Sequence, residues 1–195
     1  MSKIILVRHG QSEGNVKNIL SHDPDKFPLT AKGVEQALHA AEELAATGIV
    51  PALFSSNILR AHQTAKIIGS RLGVEPIIDE RLAERYMGEF NNKPISPVPG
   101  WHRKLLTSGD LHGFESWNDI TKRVREFIES NKNRDLIVAV SHGDTIKAFM
   151  SETLQCDEFP VLGIRVHNAS FTVIDTVKKH VLLVSSLSLP KEAFE

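Results

Sequence analysis

The 195-residue chain has one cysteine, Cys156, so it can form no internal disulfide and build no thiolate zinc cluster. Cys156 reads as a small hydrophobe. No apolar run approaches the ~20 residues of a membrane-crossing helix. The N-terminal apolar run is too short for a secretory signal and ends at Arg8. A cytoplasmic location with no membrane partner is therefore the default expectation. Charge of one sign is not in excess: 23 Lys and Arg face 24 Asp and Glu, for a net charge of -1. That balance argues against nucleic acid as a partner, so any affinity for anions must come from local placement of Arg and His. Repeats, low-complexity tracts and long linkers are also missing. A composition of 41% apolar and 24% charged residues then points to one globular domain over 1–195 with a sizeable core.

What is present is a strand that runs straight into a histidine. Lys3–Val7 is short, apolar and β-branched, and Arg8-His9-Gly10 follows at once. A second such strand, Leu136–Val140, ends in Ser141-His142-Gly143. A histidine just past a strand sits at the C-terminal sheet edge, where α/β sheets bind ligands. Gly10 is read as the residue that lets the chain turn sharply there.

Between these strands, helical and extended periods alternate. After Thr30, a plausible N-cap, Val34, Ala37, Leu38, Ala41, Leu44 and Ala45 recur at helical spacing up to Gly48. Ala52–Ser55 reads as a strand, and Ile58, Ala61, Ala65, Ile68 and Leu72 mark a helix closed by Gly73. Arg60 falls in that helix's first turn. Pro76–Ile78 reads as a further strand, and the proline-rich Gly88–Gly100 as a lid or rim over a site. Trp117, Ile120, Val124, Phe127 and Ile128 mark one more helix, and Ile146, Phe149, Met150 and Leu154 another. Ser170–Asp175 and Val181–Ser186 read as a terminal antiparallel hairpin. The order predicts an α/β three-layer sandwich with a mostly parallel central sheet.

Arg8, His9, Arg60 and His142 together would make a phosphate pocket. Guanidinium forks bind phosphate oxygens in pairs and stabilise the charge redistributed in phosphoryl transfer. An imidazole kept neutral by nearby arginines can attack phosphorus, and a second can donate to the transferring oxygens. The positive side chains supply the charge, so no metal and no cofactor are required. The leaving oxygen needs a proton from a carboxylic acid of raised pKa, for which Glu84, Glu80, Asp79 and Glu89 are local candidates.

Leu6-Val7-Arg8-His9-Gly10-Gln11-Ser12-Glu13-Gly14-Asn15 resembles the signature of the histidine phosphatase (phosphoglycerate mutase-like) superfamily. Pro28-Leu29-Thr30-Ala31-Lys32-Gly33, Ser55-Ser56-Asn57-Ile58-Leu59-Arg60, Leu82-Ala83-Glu84 and Val140-Ser141-His142-Gly143 resemble its further blocks, in its order. The resemblance implies His9 as the phosphorylated nucleophile and Glu84 as acid and base. It implies that Arg8, Arg60 and His142 bind the phosphoryl group, with Asn15 as a further phosphate contact. Gly113-Phe114-Glu115-Ser116 resembles a weaker segment that touches substrate in some members, which makes Glu115 and Ser116 candidates. The implied fold has one antiparallel edge strand.

Two departures lie near the pocket rim: Glu89-Phe90-Asn91-Asn92 where the family often has a Trp-Glu-Gly-like run, and Asp144 where it often has a glycine. Both bear on substrate preference rather than on the chemistry. His22, His39, His102, His112, His167 and His180 are read as surface or packing residues, and His62 as structural. Trp101 and Trp117 are read as packing anchors, and Lys178-Lys179 as a solvated turn.

The leading expectation is a phosphomonoesterase acting on a small phosphorylated substrate. A cofactor-dependent phosphoglycerate mutase ranks below it: only 57 residues separate Glu84 from His142, fewer than such mutases tend to have. A non-catalytic phospholigand-binding module ranks third, and a homodimer is the further partner expectation.

Overall fold

The computed structural model describes residues 3–49, 51–94 and 113–194. Six strands form one sheet: β1 (Lys3–Arg8), β2 (Ala52–Ser55), β3 (Ile77–Ile78), β4 (Leu136–Ser141), β5 (Phe171–Asp175) and β6 (His180–Ser186), in the order β3-β2-β4-β1-β5-β6. β3, β2, β4 and β1 pair in parallel, and β5 runs against β1. The hairpin partner β6 covers the outer side of β5. The antiparallel strand of the expected fold is therefore β5, one place in from the edge.

Among the described residues the α-helices are α1 (Glu13–Val16), α2 (Ala31–Ala46), α3 (Leu59–Leu72), α4 (Trp117–Ser130), α5 (Gly143–Leu154) and α6 (Glu158–Leu162). None is long and apolar enough to cross a membrane among the described residues. The central strands β1 and β4 are apolar on both faces because helices cover both. Ile4, Leu6, Ile137 and Ala139 meet Val124, Phe127, Ile146 and Phe149 of α4 and α5. Ile5, Val7, Val138 and Val140 meet Ala41, Leu44, Ala61 and Ile68 of α2 and α3. Trp117 packs on the first cluster and donates Nε1–H to Ser151 at 3.2 Å, an anchor as read from the sequence.

Three details of the sequence reading are corrected. The face that α2 buries is Gly33, Ala37, Ala40, Ala41 and Leu44, whereas Val34 and Leu38 are 39% and 52% exposed. Small side chains let α2 approach its neighbour closely, so the helix turns its alanines inward rather than its largest residues. Leu154, at the end of α5, is likewise exposed. Gly10, for its part, is required by a close approach and not by a positive φ. A Cβ there would lie 2.3 Å from the Gly33 carbonyl oxygen, and one on Gly33 would lie 2.0 Å from that of Gln11. The loop after β1 thus rests backbone against backbone on the first turn of α2, whose N-cap Thr30 accepts from Gly33 N–H as expected.

Of the Gly88–Gly100 loop, residues 88–90 form a 3-10 turn and residues 92–94 run beside 19–20. Pro97, Pro99, Gly100, Trp101, His102 and His112 lie outside the described residues.

Candidate active site

The register of β1 on β4 pairs Arg8 with Ser141, so the next residue of each strand is a histidine, side by side. His9 N–H donates to the Ser141 carbonyl at 3.0 Å, and the ring centroids of His9 and His142 stand 5.1 Å apart. That is close to the spacing of neighbouring strands, about 4.8 Å. β2 lies on the far side of β4 and is parallel to it, so the first turn of α3 brings Arg60 to the same edge. His9, Arg60 and His142 are 2%, 5% and 0% exposed.

The contacts of each group follow from this edge. His9 Nδ1 lies 2.6 Å from the Gly10 carbonyl, which can only accept; Nδ1 therefore carries the proton and Nε2 the lone pair. Arg60 Nε–H donates to that Nε2 at 3.1 Å, and Arg60 Nη2 donates to the Ser21 carbonyl at 2.9 Å. Arg8 Nη1 donates to the Val166 carbonyl at 2.5 Å. His142 Nε2 lies 2.9 Å from Ser56 Oγ. Two further buried atoms, Arg8 Nε and His142 Nδ1, have no hydrogen-bond partner among the described residues. Buried polar atoms in native proteins are nearly always satisfied; Arg8 borders the cleft that holds His9 and Arg60, while His142 is wholly buried and stands beside the His9 ring without lining that cleft.

Glu84 follows the short 3-10 turn Glu80–Leu82. Its Oε1 accepts from the N–H of Arg85 at 3.0 Å and of Asp144 at 3.3 Å. It lines the same cleft as Arg8, His9, Asn15 and Arg60. The rivals stand elsewhere: Asp79 caps that turn and pairs with Arg81 at 2.6 Å, and Glu80 and Glu89 are exposed. Asn15 lines the cleft, but its carbonyl oxygen accepts from Ser12 and from Asn168 Nδ2.

Glu115 and Ser116 line neither of the clefts described here and have structural partners instead. Glu115 pairs with Arg123 at 2.6 Å and accepts Tyr86 N–H, while Ser116 caps α4 through Asp119 N–H. Capping serines and paired glutamates ahead of a helix are common, and that local role competes with a substrate role. His22 is half-buried and packs edge-on against the Tyr86 ring, the packing role read for it from the sequence.

Electrostatics separate the titrating groups. Burial, then Arg60, then Arg8 hold the His9 imidazole well below its ordinary pKa, which keeps it neutral. Burial, then Arg60, does the same for His142. Glu84 moves the other way: burial first and the Asp144 carboxylate second raise its pKa against the pull of Arg60 and Arg8. Burial draws Arg60 down to about 10, which leaves it charged at neutral pH.

Two adjoining clefts share Arg8, Leu20 and Glu84. The smaller, of about 250 Å³, holds His9, Asn15 and Arg60. The larger, of about 500 Å³, is walled by Met87, Phe114, Leu162, Ile164 and Val166, with Arg85, Asp144, Lys147, Glu158 and Arg165 around them.

Sequence reasoning missed the supporting residues. Thr64 Oγ1 accepts Gly10 N–H at 3.1 Å and donates to the Arg60 carbonyl at 2.8 Å, tying the His9 loop to α3. Asn168 Nδ2 donates to the His9 carbonyl at 3.0 Å. Ser56 stands in a block quoted for Arg60, but Asn168 had no signal in the sequence because it reaches the site only through the fold.

The sequence model of the histidine phosphatase superfamily (branch 1) matches residues 4–186. The chain belongs to that superfamily. It is 36% identical to a 2,3-bisphosphoglycerate-dependent phosphoglycerate mutase of Thermoplasma acidophilum, over 97% of this chain and 94% of the relative. Among solved structures, a mycobacterial glucosyl-3-phosphoglycerate phosphatase complexed with VO3 superposes with a TM-score of 0.78 at 26% identity, covering 89% and 92% of the two chains. A phosphoserine phosphatase from Entamoeba histolytica shares the fold, with a TM-score of 0.78 at 23% identity over 99% and 100%. Members of the superfamily are phosphatases or mutases. The mutase relative is matched over nearly its whole length, so the short spacing between Glu84 and His142 does not separate the two activities.

Proposed function

We propose that the chain is a metal-independent phosphomonoesterase that hydrolyses a small phosphorylated metabolite through a phosphohistidine at His9. The observation that carries this reading is the His9 ring, buried and neutral, with its proton fixed on Nδ1 by Gly10 and its Nε2 lone pair against Arg60. As the ester enters, the Arg60 Nε–H moves from His9 Nε2 to a phosphoryl oxygen. Nε2 attacks phosphorus, the N–P bond forms and the P–O ester bond breaks. Arg8 and Arg60 hold the equatorial oxygens, and the unpartnered Arg8 Nε and His142 Nδ1 supply further donors. Glu84, whose pKa is raised by burial and by Asp144, gives its proton to the leaving oxygen. The same carboxylate then takes a proton from water, which attacks the phosphohistidine and releases inorganic phosphate. The leaving group occupies the larger cleft.

Acid-quenched incubation with a labelled aryl phosphate in the presence of chelator tests this. The expected result is an acid-labile phosphoenzyme and continued hydrolysis, with kcat reduced roughly a thousandfold or more in His9→Ala. Full activity of His9→Ala would overturn the reading.

The 36% identity to a phosphoglycerate mutase favours a second reading, in which the phosphohistidine returns its group to a bound product instead of to water. A coupled assay with 2,3-bisphosphoglycerate separates the two: mutase turnover far above hydrolysis selects the mutase.

A further inference from the structure

Arg60 is held at two points. One is His9; the other is the carbonyl of Ser21, a buried residue of the loop between α1 and α2. The structure shows a closed network there. Ser21 Oγ donates to Asn92 Oδ1 at 2.8 Å, and His22 N–H donates to Asn91 Oδ1 at 2.7 Å. The two amide nitrogens then meet on one carboxylate: Asn91 Nδ2 donates to Asp23 Oδ1 at 2.7 Å and Asn92 Nδ2 to Asp23 Oδ2 at 2.8 Å. Backbone bonds close it further, with Asn92 N–H on the Leu20 carbonyl at 2.7 Å and Leu20 N–H on that of Lys93 at 3.2 Å. Lys26 pairs with Asp23 at 2.8 Å from the outer side.

We propose that Asp23, Asn91 and Asn92 are positioning residues for phosphoryl transfer, bracing the Ser21 carbonyl that anchors one edge of the Arg60 fork. With Nη2 fixed on Ser21, the rest of the guanidinium pivots between His9 and a phosphoryl oxygen without leaving the pocket. Each amide uses both ends, one toward 21–22 and one toward Asp23, which is the geometry asparagine supplies and a shorter polar side chain does not. Asn92 also stands at a φ of 63°, a left-handed conformation that asparagine tolerates better than most residues. The Asn91-Asn92 pair, a departure from the usual family run, thereby acquires a role at the phosphoryl pocket and not only at its rim. Lys26 and both amides hold the Asp23 carboxylate down to about 2, so the network stays charged across the working range of pH.

The proposal rests on Arg60 binding the phosphoryl group, and the test is a double-mutant cycle that separates the two claims. Asn92→Gly keeps the left-handed backbone and deletes only the amide; Asp23→Ala removes the shared acceptor. In each, kcat/KM on an aryl phosphate is expected to fall about tenfold, and the inhibition constant of inorganic phosphate to rise in parallel. Asp23→Asn keeps one acceptor oxygen and is expected to fall between wild type and Asp23→Ala. In an Arg60→Ala background the same substitutions are expected to cost less than about twofold. An equal fold-loss in both backgrounds, or no loss from Asn92→Gly and Asp23→Ala in the wild type, overturns the positioning role. Wild-type activity in Arg60→Ala itself overturns the reading of Arg60, and the proposal with it.

Discussion

The two clefts meet at Arg8 and Glu84 but are built differently. The smaller takes Arg8 and His9 from the end of β1 and Arg60 from the first turn of α3, with His142 buried beside His9 at the end of β4, so the sheet's hydrogen-bond ladder sets where they stand. The larger takes its walls from α5, α6, the chain after α6 and the loop residues Met87 and Phe114, and its charges mostly pair with one another. Arg85 is held by Glu158 at 2.7 Å and Lys147 by Asp144 at 3.4 Å, while Arg165 is exposed. Under the proposed function, chemistry sits on the rigid element and selection on the periphery, where side chains can change without moving the reacting groups.

The contrast can be broken or sharpened by mutation. The largest effect is expected at the buried histidine pair beside the smaller cleft. His142→Ala should lower kcat on an aryl phosphate by about a hundredfold or more, because it deletes a preorganised donor; a loss under tenfold would separate His142 from the reacting group.

A middle-sized effect is expected at the boundary. Asp144 raises the Glu84 pKa, and under the proposed mechanism Glu84 must be protonated to act as acid, so activity is expected to decline as pH rises through that pKa. Asp144→Asn removes the repulsion and should shift the alkaline limb of kcat/KM to lower pH. An unmoved limb would assign the proton to another group. In the larger cleft, Arg165→Ala should change the ratio of kcat/KM between an ester with an anionic leaving group and a neutral aryl phosphate by about three- to tenfold. A uniform loss on both would place Arg165 with the phosphoryl pocket.

The smallest effect is on stability. His9 and His142 are buried neutral, with pKa values held well below the ordinary 6.5. The unfolded chain takes up protons below pH 6.5 that the folded chain refuses, so their contribution is present above that pH and is lost as pH falls toward the folded values. Melting temperatures measured from pH 7.5 to 5 should decline, and less steeply in His9→Asn; identical slopes would contradict neutral burial of His9.

Much of this was legible from the residues. β-branched runs ending in Arg8-His9-Gly10 and Ser141-His142-Gly143 locate two strand ends, and alternation of apolar residues marks helices α3, α4 and α5. The buried face of α2 was misread, because size alone selects Val34 and Leu38, while close helix packing prefers the alanines. Glu115 and Ser116 could not be placed from the chain, since a carboxylate that pairs with Arg123 and a serine that caps a helix look the same in sequence as substrate contacts.

Local sequence determined the kinds of group available: two guanidinium forks, two imidazoles and a nearby carboxyl, each attached to a recognisable strand or helix start. Only the tertiary structure decided that they converge, through the parallel register of β1 on β4 and of β2 on β4. It also decided their charge states, because burial and proximity, which shift His9 down and Glu84 up, are properties of packed neighbours distant in the chain. The bracing of Arg60 by residues 21–23 and 91–92 belongs to the same class, since no short-range pattern brings those two loops together.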